Sequence, residues 1–348
     1  MIRVLIVDDS KVIQEFLTHL LSSDSDIQVV GTASSGIEAI ELVRLKRPDI
    51  VTMDMHMPGM DGYEATRTIM ETFPTPIVIV SGSANIKEVA ITFKCLEAGA
   101  LAVILRPPGF EHPQFTILSK DLIQKVKLMS EIKVVKLIPR NRKGQIAPVS
   151  ILPTFKHNTK EIQVIAIGAS TGGPMTLQII LSRLPKDLPI PVLIVQHIAV
   201  GFVKGFVEWV SATSGIRLKI AEDGESIAAG FGYIAPDNFH MGVFKGNKIR
   251  LSNEPPENGS RPSVSHLFRS VAQTFGVDAL GVLLTGMGKD GADELKMMKE
   301  RGALTIVQNE ESSVVFGMPG EALRIGAAEN AFSPEMIAEI MSRSGSKK

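Results

Sequence analysis

The sequence predicts an α/β protein built from two successive parallel-sheet units. Three observations carry that expectation. Short apolar runs alternate with segments of helical period through both halves of the chain. Residues capable of chemistry follow the apolar runs, where a doubly wound sheet gathers them at its strand ends. The chain has 348 residues, room for two domains of about 100–200 residues each.

In the first half, Val4–Val7 is an apolar run ending on Asp8 and Asp9. Val12, Ile13, Phe16, Leu17, Leu20 and Leu21 follow at helical spacing. Ile27–Val30 reads as a second strand closed by Gly31, and Ile37, Ile40 and Val43 mark the next helix. Asp49–Met53 is a buried-type strand ending at Asp54. Ile77–Val80 ends at Ser81, and Leu101–Leu105 ends at Arg106 and Pro107. Repeated βα units of this kind imply a parallel sheet with helices on both faces, assigned here to residues 1–128. Residues 129–161 carry Lys133, Lys136, Arg140, Arg142, Lys143, Lys156 and Lys160 with three prolines and no clear period. They read as a solvated basic linker, or as a docking segment for an acidic partner.

The second unit is expected over residues 162–345. Val164–Ile167 is a strand closed by the glycine-rich turn Gly168–Gly173, and Pro174 suits the first turn of a helix. Val192–Val195 is a strand ending at Gln196 and His197, and Phe202–Ser211 is helical. Val243–Leu251, with Gly246-Asn247 at its centre, reads as a hairpin. Val264–Phe275 is helical, and Ala279–Leu284 is a buried strand ending in Thr285-Gly286-Met287-Gly288. Asp290–Arg301 is a helix with Gly302 placed to end it. Ala303–Val307 is a strand, and Ser333-Pro334 opens a last helix. The second unit is therefore doubly wound, mostly parallel, with a hairpin added.

Composition narrows the function. Lys+Arg and Asp+Glu balance at 37 each, so no global basic field exists to hold nucleic acid or an anionic membrane. The second unit offers no helix-turn-helix, so DNA is not an expected partner. Cys95 is the single cysteine, which excludes an internal disulfide. The first apolar run is too short for a signal-peptide core, and no stretch approaches the roughly 18 apolar residues of a membrane span. A cytoplasmic protein without membrane insertion is expected.

Asp8, Asp9 and Asp54 are expected to converge at one sheet edge. Crowded carboxylates repel unless a cation sits among them, and hard oxygen ligands suit Mg²⁺. A carboxylate beside Mg²⁺ is a competent nucleophile toward a phosphoryl group, and the Ser81 hydroxyl can bond a phosphoryl oxygen. With Met57-Pro58-Gly59-Met60-Asp61-Gly62 behind Asp54, this set resembles the receiver domain of bacterial response regulators over roughly residues 1–125. The resemblance implies a flavodoxin-like sheet and Asp54 as phospho-acceptor. Asp8, Asp9, Asp54 and the backbone carbonyl of His56 would hold Mg²⁺, and Ser81 matches the switch hydroxyl. One position departs: the family has Lys-Pro where this chain has Arg106-Pro107, a planar fork in place of a compact ammonium.

Gly168-Ala169-Ser170-Thr171-Gly172 fits G-x-S-x-G on a strand-to-helix turn, which presents a serine beside backbone N–H groups. A dinucleotide loop needs different glycine spacing and an acid after the next strand. A P-loop needs Lys-Ser/Thr where Pro174-Met175 stand. His197 and Asp290 follow two further strands, so three triad-type side chains project from one sheet. Ser170 would attack, His197 would carry its proton and Asp290 would orient the imidazole. The chain order Ser, His, Asp is not that of α/β-hydrolases. These residues, with Gln196-His197, Arg261-Pro262-Ser263-Val264, Leu284–Gly291, Gln308-Asn309-Glu310 and Val315–Pro319, resemble the catalytic domain of the CheB chemotaxis methylesterases.

That resemblance spans about 162–345 and implies hydrolysis of glutamate γ-methyl esters on chemoreceptors, releasing methanol, with deamidation of receptor glutamines as companion reaction. Ser170, His197 and Asp290 match the triad. Met287 N–H, assisted by Thr171, is the expected oxyanion donor. No cofactor is expected for the hydrolase, and a chemotaxis histidine kinase is the expected phosphodonor. The alternative is a receiver-regulated serine esterase or amidase of this fold with a substrate outside the chemoreceptors.

Overall fold

Each half of the chain closes a parallel sheet of its own, and the chain divides into two units at about residue 155. In this computed structural model the described residues are 1–82, 86–134, 162–244 and 246–344. Most of the basic 129–161 segment lies outside them, including Lys136 through Lys160.

The first unit runs β1 (Ile2–Val7), α1 (Lys11–Ser22), β2 (Ile27–Ala33), α2 (Gly36–Lys46), β3 (Ile50–Met53), α3 (Gly62–Thr72), β4 (Ile77–Ser81), α4 (Ile86–Glu97), β5 (Ala102–Leu105) and α5 (Phe115–Ser130). The strands pair in parallel in the order β2-β1-β3-β4-β5. Central strands read as unbroken apolar runs because helices cover both faces, so both side-chain sets are buried. Some expected boundaries move. The ladder continues past Gly31 to Ala33, with a register shift at Val4/Leu5. Val12 and Ile37, which mark the helical spacing, face outward at 73% and 61% exposed. Gln14 takes the inward position in α1, its amide donating to the Asp8 carbonyl (2.7 Å) and to Ser34 Oγ (2.9 Å). The last helix extends to Ser130, two residues beyond the expected end of this unit.

The second unit runs β6 (Val164–Ala169), α6 (Gly173–Leu181), β7 (Val192–Gln196), α7 (Val203–Ser211), β8 (Arg217–Ile220), β9 (Phe231–Ile234), β10 (His240–Phe244), β11 (Lys248–Ser252), α8 (Val264–Thr274), β12 (Ala279–Leu283), α9 (Ala292–Glu300), β13 (Leu304–Gln308), α10 (Met318–Arg324), β14 (Ala331–Phe332) and α11 (Pro334–Ser344). Seven strands pair in parallel in the order β14-β13-β12-β6-β7-β9-β8, and β10-β11 form the expected hairpin. Strand β8 interleaves Arg217 and Lys219 with its apolar residues, and β9 and β14, at four and two residues, are too short to stand out by periodicity. The chain order reverses between β6 and its two neighbours, β12 and β7, a switch point where α/β sheets form crevices. Ser333 caps α11 through Met336 N–H (3.4 Å).

Glycine fixes one close approach beneath Asp54. Gly62 N–H donates to the Met55 carbonyl at 3.0 Å, and Asp61 caps α3 by accepting from Glu64 N–H at 2.8 Å. A Cβ on Gly62 would collide with the Asp54 carbonyl oxygen and lie 3.0 Å from Met55 Cα. Those atoms are backbone and cannot swing aside. Gly62→Ala is therefore expected to cost at least about 2 kcal/mol of stability, measured by denaturant unfolding of the full chain. A loss below about 0.5 kcal/mol, the ordinary surface range, would contradict this packing.

Candidate functional site

In the second unit, β6, β7 and β12 deliver three loops to one rim of the sheet. Ser170 follows β6 and stands half-buried ahead of α6, whose N-terminus is capped by Gly172 at φ +80°. His197 follows β7, and its backbone N–H donates to the Ala169 carbonyl at 2.9 Å. Gln196, 3% exposed, donates its amide N–H to the Ser170 carbonyl and to the His197 carbonyl, both at 2.8 Å. The two loops are thus stitched together by backbone and by one buried amide. Among the described residues, Ser170 Oγ and His197 share no direct hydrogen bond. Such contacts are often long until substrate is bound.

Asp290 is the most heavily bonded group of the site. Its Oδ2 accepts from His197 Nε2 at 2.9 Å and from Val264 N–H at 2.7 Å. Its Oδ1 accepts from Ser263 Oγ at 2.8 Å, Asn258 Nδ2 at 3.0 Å and Ser265 N–H at 3.2 Å. Burial alone would raise its pKa. The hydrogen bonds and charge of His197, with Asn258 and Val264, outweigh burial and hold the carboxyl far below the ordinary carboxylate range. Asp290 does not cap the helix that follows it; Gly291 occupies that position in α9. It caps α8 instead, where first-turn N–H groups and the helix dipole favour an anion. An ionised Asp290 accepts, so the imidazole donates from Nε2 and keeps its lone pair on Nδ1. In the serine-protease template the aspartate accepts from Nδ1; here the ring is turned round.

Thr285-Gly286-Met287-Gly288 is pinned from several sides. Thr285 N–H donates to Gln308 Oε1 at 2.8 Å, and Thr285 Oγ1 lies 2.9 Å from the Thr171 carbonyl. Gly286 N–H donates to the Val315 carbonyl at 3.0 Å, and the Gly286 carbonyl accepts from Met318 N–H at 2.9 Å. Ser170 N–H donates to the Thr285 carbonyl at 3.0 Å. A Cβ on Gly286 would lie 2.6 Å from Ser170 Cβ, so this loop abuts the serine. Met287 is half-buried beside it, and among the described residues its N–H has no backbone acceptor.

In the first unit, Asp8 (3% exposed) and the exposed Asp9 follow β1, and Asp54 follows β3. Burial first, then the charges of Asp8 and Asp9, pushes the Asp54 carboxyl up to about 6 against two backbone hydrogen bonds, including His56 N–H to Oδ2 at 3.1 Å. Burial also raises Asp8, against Ser10 N–H and the Arg106 charge. Arg106 Nη1 lies 3.8 Å from Asp8 Oδ2, and Arg106 N–H donates to the Ser81 carbonyl at 2.8 Å. Buried, mutually repelling oxygen donors fit Mg²⁺, which relieves both penalties.

Sequence reading missed Asn258, and it quoted Ser263, Gln196 and Gln308 as motif residues without a role. Ser263 occupies the N-cap position of α8, and its hydroxyl donates to Asp290. Asn258 stands at φ +50° in a loop with no periodic signal. That loop is anchored by Glu257, which Arg269 grips at 3.1 and 2.8 Å. Glu254, Glu257 and His266 bring single ligand atoms within 4.8 Å of one another, but the Arg269 clamp already satisfies Glu257.

These sites define a class: a phosphoryl-receiver-type α/β unit followed by an α/β unit with a hydroxyl, imidazole and carboxylate on one rim. Residues 165–341 match the CheB methylesterase family model, and residues 4–112 match the response regulator receiver domain. A Geobacter metallireducens protein-glutamate methylesterase/protein-glutamine glutaminase is 53% identical over 98% of this chain and 98% of its own. A Nitrosospira multiformis protein of the same name is 50% identical over 98% of this chain and 96% of its own. The Thermotoga maritima CheB methylesterase catalytic domain is 36% identical, covers 52% of this chain and 97% of its own, and superposes with a TM-score of 0.51. The chain belongs to the CheB methylesterase family, as an enzyme unit preceded by a response regulator receiver domain.

Removing the Asp290 carboxylate strands buried donors, whereas removing the Ser170 hydroxyl strands none. Asp290→Ala is expected to lose about 2–4 kcal/mol of stability and Ser170→Ala less than about 0.5 kcal/mol. The pH sign follows from the lowered pKa: the contribution of Asp290 is complete above the ordinary carboxylate range and fades as pH falls toward its folded value. Denaturant unfolding of the unaltered chain and Asp290→Ala should thus differ by a constant amount down to about pH 4 and converge below it.

Proposed function

We propose that the second unit hydrolyses glutamate γ-methyl esters on chemoreceptors, releasing methanol, and deamidates specific receptor glutamines. The relatives' names support that substrate class. The observation that carries the mechanism is the His197–Asp290 hydrogen bond, on a carboxylate already held by four other donors. Asp290 keeps His197 in the tautomer that offers Nδ1 as base. Ser170 Oγ attacks the γ-carbonyl while Nδ1 takes its proton. Met287 N–H, with Thr171 nearby, receives the oxyanion. The imidazolium returns the proton to the departing methoxide, giving methanol, or to the departing amide nitrogen, giving ammonia. Water then repeats the cycle and frees the carboxylate.

The first unit acts as the control. Asp54 accepts a phosphoryl group from a chemotaxis histidine kinase, and Ser81 and Arg106 respond to it. Asp8, Asp9, Asp54 and the His56 carbonyl would hold Mg²⁺, which neutralises phosphoryl oxygens when bound. The working compartment is the cytoplasm, where receptor signalling helices are accessible. No described helix is long and apolar enough to cross a membrane.

Methanol release from methylated receptor fragments tests the reading. Folded Ser170→Ala and His197→Ala, and their double variant, should all fall to a similar residual rate, because triad members act as a unit. For the active chain, kcat/KM should fall on the acid side, because only a neutral imidazole takes the serine proton. Retention of most activity in Ser170→Ala removes the triad. Activity on simple esters without any on receptor fragments supports a different substrate. A small phosphodonor with Mg²⁺ should raise the rate of the full chain, and Asp54→Ala should abolish that rise alone.

A further inference from the structure

Gly82, directly after Ser81, lies under the side chain of Arg106. A Cβ built on Gly82 would lie 2.6 Å from Arg106 Cζ and 3.0 Å from Nε, with Nη2 nearer still. All the nearest atoms belong to one planar guanidinium. Gly82 is not among the glycines with positive φ, so the backbone there accepts any residue. Space, not conformation, is what the absent side chain provides. Across the β4–β5 ladder, Arg106 N–H donates to the Ser81 carbonyl at 2.8 Å, which sets the two loops at a fixed separation. The far arm of the fork, Nη1, stands 3.8 Å from Asp8 Oδ2, at the edge of the acidic cluster.

We propose that Gly82 is the seat of the Arg106 guanidinium, a positioning residue that holds this cation at the edge of the acidic cluster for an anionic group carried on Asp54. The inference rests on the reading of Asp54 as phospho-acceptor and deepens it. A guanidinium is wide and planar, whereas an ammonium is a compact point charge on a flexible stem. An arginine at this position needs a flat surface to lie against; a lysine does not. A methyl group at position 82 lifts the fork away from Asp8 and from oxygens added at Asp54. The two-nitrogen face that makes arginine a strong partner for phosphoryl oxygens is then misdirected. A lysine at 106 leaves the space over Gly82 empty, and the same methyl group meets nothing.

The consequence is a coupling between positions 82 and 106, read with beryllofluoride and Mg²⁺ as the phosphoryl stand-in on the full chain. Bound beryllofluoride is followed by fluorine NMR, and the apparent affinity by titration. Gly82→Ala should weaken binding about tenfold in the unaltered background, the size of coupling seen between residues in contact. In the Arg106→Lys background the same change should cost less than about twofold. The clash is with the movable end of a side chain, so both variants are expected to fold. Equal losses in the two backgrounds, or no loss in either, overturn the seat while leaving Asp54 as acceptor. Failure of the unaltered chain to bind beryllofluoride with Mg²⁺ overturns the acceptor reading and this inference together.

Discussion

The Asp290 carboxylate organises the second unit's rim. A buried carboxylate is expensive unless nearly every lone pair is used, and here five donors converge on two oxygens. Those donors come from separate pieces of chain: the loop after β7, the 253–263 segment and the first turn of α8. The Ser265 hydroxyl adds a brace, accepting from Gly291 N–H at 3.0 Å and from Asn258 Nδ2 at 3.1 Å. One anion thus fixes the direction of α8, closes the loop that carries Asn258 and sets the tautomer of His197. The imidazole is oriented as a by-product of capping a helix.

The first unit handles its carboxylates the opposite way. Asp54 and Asp8 also sit at strand ends of a parallel sheet, but their donors are few and their neighbours are anions. Their pKa values rise where that of Asp290 falls. A satisfied carboxylate is an orienting group, because it neither protonates nor seeks a new partner. An unsatisfied one invites a cation. Identical side chains in the same topological position diverge in role through the number of N–H and O–H groups aimed at them.

What the sequence made legible is what lies in short motifs at strand ends. The strand runs, and the placement of Ser170, His197, Asp290 and the Asp8/Asp54 pair after strands, were readable because buried parallel strands are near-continuous apolar runs and their ends gather polar residues. The partners of Asp290 other than His197 were not. Asn258 lies 32 residues from Asp290 and Gln308 lies 23 from Thr285, and loop register carries no periodic signal. Helical spacing alone did not tell that Val12 and Ile37 face outward, while Gln14 holds an inward place by bonding backbone carbonyls. Strands β8 and β9 were missed because each has only four residues, with Arg217 and Lys219 breaking the apolar run of one and Gly232 that of the other.

The motif glycines acquire a different meaning once packing is considered. A Cβ on Gly168 would lie 2.8 Å from Val264 Cγ2, and one on Gly291 would lie 3.0 Å from Val264 Cβ. Val264 is fully buried and supplies the shortest hydrogen bond to Asp290. Its side chain is held between the strand that ends at Ser170 and the residue that follows Asp290. The glycine before the serine and the glycine after the aspartate therefore share one function, to let the same valine close the gap between them. That sandwich sets how far the strand before Ser170 stands from the carboxylate's loop, with Gln196 setting the spacing of serine and imidazole on the other side. The glycine-rich character of GASTGG and GMGKDG is in this part a record of close approach. The geometry of the rim is held by side-chain volume in the core beneath it as much as by the polar groups on it.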